Sequence, residues 1–235
     1  MLGAGPLREA GYRSGQPATA HPTQLSLRVG ALFEHDSGGD HFCTASVVAS
    51  PDGDLLVTAA HCLNGGPHGG ARSDIVFIPG YRDGTAPYGI WTPDRLVVAE
   101  GWASGADPDL DVGFVVLRPY HGHAIQQVLG ADTLDFDPGY RNLVQVTGYP
   151  ASRDRPITCQ NWTTRQSATQ LRFECEGFTG GTSGSPWLTG FDPAAGTGRI
   201  VGVLGGYEEG GSTAGISYSA YLGRAIMQLY REATA

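Results

Sequence analysis

Leu56-Val57-Thr58-Ala59-Ala60-His61-Cys62 is an apolar run that ends on a histidine, with a cysteine directly after it. A short apolar segment of this kind reads as a strand, so the histidine is expected where the strand leaves the core. Two later stretches complement it. Asp109-Leu110-Asp111-Val112-Gly113-Phe114-Val115-Val116-Leu117 opens an apolar strand on an aspartate, and Gly180-Gly181-Thr182-Ser183-Gly184-Ser185-Pro186 holds a serine in a glycine-rich turn. A free serine hydroxyl is a poor nucleophile and needs a base to take its proton. Histidine suits that work because its ordinary pKa lies near neutrality. An aspartate accepting the ring Nδ1 proton fixes the tautomer and stabilises the imidazolium. Glycines around the serine free backbone N–H groups to meet a developing oxyanion.

Working outward, alternation over Leu25–Phe33 predicts a strand with one buried face. Further strands are predicted at Phe42–Ala49, Asp54–Ala59, Ile75–Ile78, Arg95–Ala99, Val112–Leu117, Leu143–Tyr149, Leu171–Cys175, Pro186–Thr189, Ile200–Leu204 and Gly215–Tyr218. Turn signals such as Pro51-Asp52-Gly53, Asp83-Gly84 and Asp137-Pro138-Gly139 separate them. One helix is predicted at the C-terminus, where Tyr221, Leu222, Ala225, Ile226, Leu229 and Tyr230 recur at helical spacing opposite Arg224, Gln228 and Arg231. One helix against about a dozen strands argues for an all-β barrel or sandwich. Residues 1–24, rich in Gly, Pro, Ala and Arg, read as a loosely packed arm. The crossing between two halves is drawn near Ala124–Asp132, giving 25–125 and 126–235.

The 235 residues carry a formal net charge of −8, and all 15 basic residues are arginine. An acidic surface without a basic stripe repels phosphate backbones, so nucleic acid is not an expected partner. The absence of lysine reads as coding bias. No run approaches the roughly 18 apolar residues of a membrane span, and no membrane partner is expected. Met1–His21 has no signal-peptide core. Cys43, Cys62, Cys159 and Cys175 are an even set without CxxC spacing. That pattern favours two local disulfides and an oxidising compartment over a zinc or redox centre. For Cys159 and Cys175, two unpaired buried thiols are the alternative.

The strings TAAHC, DVGFVVL and GTSGSP, in that order, resemble the three catalytic segments of the chymotrypsin/trypsin-like serine peptidases, with a bacterial, actinomycete-like flavour. His41-Phe42-Cys43-Thr44-Ala45-Ser46-Val47-Val48 is similar to the strand carrying that family's first cysteine. The resemblance implies two six-stranded antiparallel β-barrels with a C-terminal helix, and a Cys43–Cys62 disulfide closing the histidine loop. It implies Ser183 as nucleophile, His61 as base, Asp111 as its orienting partner, and the N–H groups of Gly181 and Ser183 as the oxyanion hole. It further implies a secreted endopeptidase whose leader is absent from this chain. That enzyme would act through an acyl-enzyme on polypeptides, as a monomer without cofactor or metal, and would be open to a protein inhibitor. Activity is expected to fall below about pH 6, where the histidine protonates.

Two positions depart from the trypsin pattern. Thr182 stands where most relatives have aspartate, as in the V8-like glutamyl endopeptidases. Gly177 stands where trypsin has the aspartate of its specificity pocket. Leu204, Gly205 and Gly206 are expected to line the substrate, giving an open and mostly apolar pocket that Tyr207, Glu208 and Glu209 could modify. Arg28-Val29-Gly30-Ala31 lies too close to Cys43 for an activation site and reads as strand. Other readings stay in view at single positions. Asp109 competes with Asp111, and Ser185 with Ser183. His121-Gly122-His123 reads as surface rather than a metal site, and Asn161-Trp162-Thr163 as an incidental sequon. For the whole chain the rivals are a catalytically silent binding module and an esterase. The absence of a G-x-S-x-G elbow, and the His–Asp–Ser order, count against the esterase.

Overall fold

The computed structural model describes residues 14–21, 23, 26–34, 41–192 and 194–235. Of the stretch read as an arm, residues 1–13, 22 and 24 lie outside the described residues, as does Leu25 at the start of the first predicted strand. Part of the remainder is ordered structure, since β1 (Ala18–Thr19) pairs with a strand near the middle of the chain. The segment before the first long strand is a 3₁₀ turn, Ser26–Arg28, rather than extended chain.

The first half is one antiparallel six-stranded sheet. Its strands are β2 (Val29–Glu34), β3 (His41–Val48), β4 (Leu55–Thr58), β5 (Ile75–Pro79), β6 (Pro93–Val98) and β7 (Gly113–Leu117). They are ordered β5-β2-β3-β4-β7-β6. The second half holds β8 (Thr133–Leu134), β9 (Leu143–Gly148), β10 (Ile157–Trp162), β11 (Thr164–Arg165), β12 (Gln170–Glu174), β13 (Pro186–Asp192), β14 (Thr197–Val203) and β15 (Ile216–Ala220). These divide into a six-stranded sheet, β1-β10-β9-β13-β14-β8, and a three-stranded sheet, β11-β12-β15. The pairing is antiparallel except between β14 and β8. The architecture is the expected all-β double barrel, with short helices α1 (Gly66–Gly69), α2 (Glu100–Gly105) and α3 (Ile125–Leu129), and α4 (Arg224–Ala233) at the C-terminus.

The continuous apolar runs of β3, β4 and β7 have a packing reason. Val47, Leu56 and Val115 point into the core of the first half with Leu32, Phe77 and Trp91. Their neighbours Val48, Leu55, Val57 and Phe114 point the other way, onto Leu188, Ile200 and the α4 residues Ile226 and Leu229. Successive side chains of a strand face opposite sides, so a strand covered on both sides has no polar positions to alternate. Burying Ile226 and Leu229 contributes roughly 1.5–3 kcal/mol each, which pins α4 across the seam. The helix starts at Arg224, later than the sequence periodicity implied, because Gly223 is extended. Ala225 is exposed rather than on the apolar face.

The crossing between the halves is anchored by Asp132. Its backbone bonds Val47 and Ala49 of the first half, Asp132 N to Val47 O at 3.2 Å and Ala49 N to Asp132 O at 2.8 Å. Its Oδ1 accepts from Arg28 Nη1 at 2.8 Å and from the β14 amide of Gly198 at 2.7 Å. Both charges are buried, so the pair is useful chiefly because every partner is present.

Candidate active site

His61 lies in a 3₁₀ turn, Ala60–Cys62, that follows β4 directly. The Cys43–Cys62 disulfide ties that turn back to β3. Asp111 follows a second 3₁₀ turn, Pro108–Leu110, and sits immediately before β7, the strand that pairs with β4. The register therefore brings the ends of the two strands, and the two side chains, together. Asp111 is fully buried. Its Oδ1 accepts the His61 backbone N–H at 2.9 Å, and its Oδ2 lies 2.8 Å from His61 Nδ1. Oδ2 also accepts the Gly206 N–H from the second half at 2.7 Å. Asp109 is half-buried and makes none of these contacts. Its backbone N–H donates to Asp107 Oδ1 at 3.0 Å, and its own Oδ1 accepts from Gln170 Nε2 at 2.8 Å.

Burial alone would lower the His61 pKa, but the Asp111 charge and hydrogen bond, helped by Glu209 and opposed by Arg72, raise it above its ordinary 6.5. The neutral imidazole is therefore reached only at a higher pH than the sequence reading assumed.

The Ser183 turn packs from the second half onto β3 and the end of β4, the strand that leads to His61. Thr44 N donates to Ser183 O at 2.7 Å, and Thr44 Oγ1 donates to Gly181 O at 3.0 Å. Gly184, at φ +83°, packs against Thr44 O, Thr58 Oγ1 and Ala59 N, at the end of the strand that leads to His61. Gly181, at φ +93°, leaves no room for a side chain beside Tyr149 O and Ala151 N. Among the described residues, the N–H groups of Gly181 and Ser183 donate to no protein acceptor, and Ser183 Oγ makes no hydrogen bond. Hydrogen bonds of this kind often form only once substrate is bound. Ser185 Oγ, by contrast, is buried and donates to Thr182 O at 2.6 Å. Thr182 Oγ1 is satisfied locally by Thr179 O, also at 2.6 Å. Thr44 was not singled out in the sequence. The available signal was a hydroxyl inside the otherwise apolar β3, directly after Cys43.

A cleft of about 360 Å³ opens beside Ser183, with Phe178, Leu204, Glu208, Glu209 and Thr213 among its lining residues. It corrects the expectation of a mostly apolar pocket, because two carboxylates enter it. Leu204 lines the cleft as expected, whereas Gly177 faces Ile157 and Pro17. Gly205 and Gly206 are used internally, their N–H groups bonding Tyr218 O and Asp111. Glu208 and Glu209 both have left-handed φ, at +51° and +52°. The Cys159–Cys175 disulfide forms and braces the chain before the Ser183 turn. Among the described residues, the one cluster with metal-ligand spacing is Cys43, His61 and Cys62, and both its cysteines are committed to the disulfide. His121 is exposed and stacks edge-on against Tyr120. Among the described residues, no helix is long and apolar enough to cross a membrane.

Comparison with solved structures adds the class. The chain resembles the protease Anisep of Arthrobacter nicotinovorans with a TM-score of 0.79 and 28% identity, over 93% of this chain and 99% of that one. It resembles the thermostable serine protease AL20 from an extremophilic microorganism with a TM-score of 0.78 and 28% identity, over 90% and 99%. A Glu endopeptidase shares the fold at a TM-score of 0.73 and 18% identity, over 94% of this chain and 97% of that one. No protein-family model and no curated protein sequence matches the chain. The chain thus shares the fold of serine proteases of known structure, two of them at 28% identity over 90% or more of its length.

Proposed function

We propose that the protein cleaves exposed polypeptide segments by acyl transfer, with Ser183 as nucleophile, His61 as general base and Asp111 as the group that orients the base. The observation that carries this is the His61–Asp111 pair, at 2.8 Å, with the Ser183 turn docked on the strand leading to it. Asp111 holds the proton on Nδ1, which leaves Nε2 free to take the Ser183 proton as Oγ attacks the scissile carbonyl. The unpaired N–H groups of Gly181 and Ser183 would meet the oxyanion. His61 then gives its proton to the leaving amine, and water, activated by the same base, releases the acyl group. The two disulfides favour an oxidising, extracellular setting.

Labelling with a fluorophosphonate, followed by peptide mass mapping, tests the assignment. The adduct is expected on Ser183 and is expected to be lost in Ser183→Ala and His61→Ala. Its rate should fall as pH drops through a pKa above 6.5, because the raised pKa keeps His61 protonated, and inactive as a base, to higher pH. A rate flat from pH 5 to 9, or an adduct elsewhere, refutes the assignment.

The cleft favours a positively charged substrate side chain, since among the described residues the Glu209 carboxylate makes no hydrogen bond or salt bridge and Glu208 accepts only the Ser212 N–H, at 3.3 Å. Glu208→Gln combined with Glu209→Gln is expected to lower kcat/KM for Arg and Lys substrates by roughly three- to fivefold relative to a neutral isostere, the scale of a solvent-screened ion pair. The comparison belongs on the high-pH plateau, because Glu209 also acts on His61. Equal losses on charged and neutral substrates would rule this preference out.

A further inference from the structure

Gln170 lies on β12, outside every segment of the site, and is almost wholly buried. Its amide nevertheless joins the two loops that hold Asp111. Nε2 donates to Pro108 O at 3.0 Å and to Asp109 Oδ1 at 2.8 Å, in the turn just before Asp111. Oε1 accepts the Tyr207 N–H at 3.1 Å, one residue beyond Gly206, whose own N–H donates to Asp111 Oδ2. Both donors of the amide are used and its oxygen is satisfied, which is what a buried carboxamide needs to hold one orientation. The hydrogen bonds close a ring: Gln170 to Pro108, along the turn to Asp111, across to Gly206, and from Tyr207 back to Gln170. This ring crosses the seam between the halves. Gly206, at φ +80°, is part of it, because any Cβ there would run into the Gln170 carboxamide and Ala220 N.

We infer that Gln170 is a positioning residue for the hydrolytic reaction, acting through Asp111 to fix the angle and basicity of His61. The inference rests on the Ser183–His61–Asp111 reading above. Neither a carboxylate nor an apolar side chain can replace the amide. A glutamate at 170 could still accept from Tyr207 but would face the Asp109 carboxylate and the Pro108 carbonyl without a donor. A leucine would leave the Tyr207 N–H unpaired and would take the cross-seam donor away from the Pro108 carbonyl and Asp109 Oδ1. Without the clamp, the 108–111 turn and the 206–207 segment are free to separate, and the contact that raises the His61 pKa weakens.

The test is steady-state kinetics of Gln170→Leu over a range of pH, with the low-field proton resonance of the His61–Asp111 hydrogen bond as a second readout. A displacement of 1 Å or less at a catalytic group costs up to about 100-fold, so kcat/KM is expected to fall 10- to 100-fold, mostly in kcat. The acid limb should move to lower pH and the low-field resonance should weaken. Asp109→Ala, at a half-exposed position, covers the case in which Gln170→Leu does not fold. It removes one end of the same bridge and is expected to move the acid limb the same way by less. Asp109→Asn, whose side-chain oxygen can still accept from Nε2, is expected to restore the wild-type limb. A purely structural role would lower Tm and leave the acid limb in place, and that result overturns the inference. Fluorophosphonate labelling of the wild type separates the two readings. A wild type that does not label at Ser183 sinks the whole site assignment. Normal labelling with an unmoved limb in the variants sinks the Gln170 bridge alone.

Discussion

Asp111→Asn is expected to lower kcat about 10,000-fold while the protein remains folded, the size of loss seen when this change is made in the same triad elsewhere. The reason lies in the three N–H groups that converge on the carboxylate, from His61 backbone N, His61 Nδ1 and Gly206 N. An asparagine presents one oxygen and one NH₂ group, and cannot accept on both sides. If its oxygen takes the Oδ1 place and keeps the His61 backbone N–H, the NH₂ group at the Oδ2 place faces both the Gly206 N–H and His61 Nδ1, and forces the ring proton onto Nε2. The imidazole is then in the tautomer that cannot take the Ser183 proton. Kinetics at the high-pH plateau, beside circular dichroism to show the fold is retained, would measure this. Retention of kcat within about tenfold would mean Asp111 does not orient the base.

The second large effect is at Gly184. An alanine Cβ at this position would overlap Thr44 O and Thr58 Oγ1 and lie 3.1 Å from Ala59 N. The Thr58 Oγ1 to Thr44 O hydrogen bond, at 2.7 Å, is buried there and cannot yield without losing a partner. Overpacking typically costs about 1–3 kcal/mol, and the left-handed backbone adds roughly 1–2 kcal/mol for a residue with a Cβ. Gly184→Ala is therefore expected to lose about 3 kcal/mol, or roughly 6–12 °C in Tm for a chain of this size. The surviving folded fraction should have Ser183 displaced from His61 and label slowly. A variant with unchanged Tm and labelling rate would show that the Ser183 turn does not depend on this close approach.

Much of the site was legible because its chemistry is local. TAAHC, DVGFVVL and GTSGSP each carry their meaning within a few residues, and β4 and β7 announce themselves by apolar runs. What escaped depends on partners far along the chain. Strand β10, Ile157–Trp162, follows a proline and ends on polar residues, so no period marks it. It is a strand because β9 pairs with one edge and β1 with the other, and tertiary pairing overrides local preference. For Glu208 and Glu209 the sequence suggests an influence on the pocket, but only the backbone course makes both of them line the cleft. Gln170 gave no signal, since a lone glutamine in a strand acquires its role from Pro108 and Tyr207 alone.

The placement of the cross-links has a further consequence. Cys43–Cys62 lies wholly in the first half and Cys159–Cys175 wholly in the second, so no covalent bond spans the mating faces. The Ser183 turn is held against the half that carries His61 by reversible contacts, among them the Thr44 bonds, the Gly206–Asp111 bond, the Gln170 bonds to Pro108 and Asp109 and the apolar seam under α4. Two halves driven apart by mild denaturant would each keep their cross-link intact. They could re-mate, and regain the site, with no thiol exchange at all.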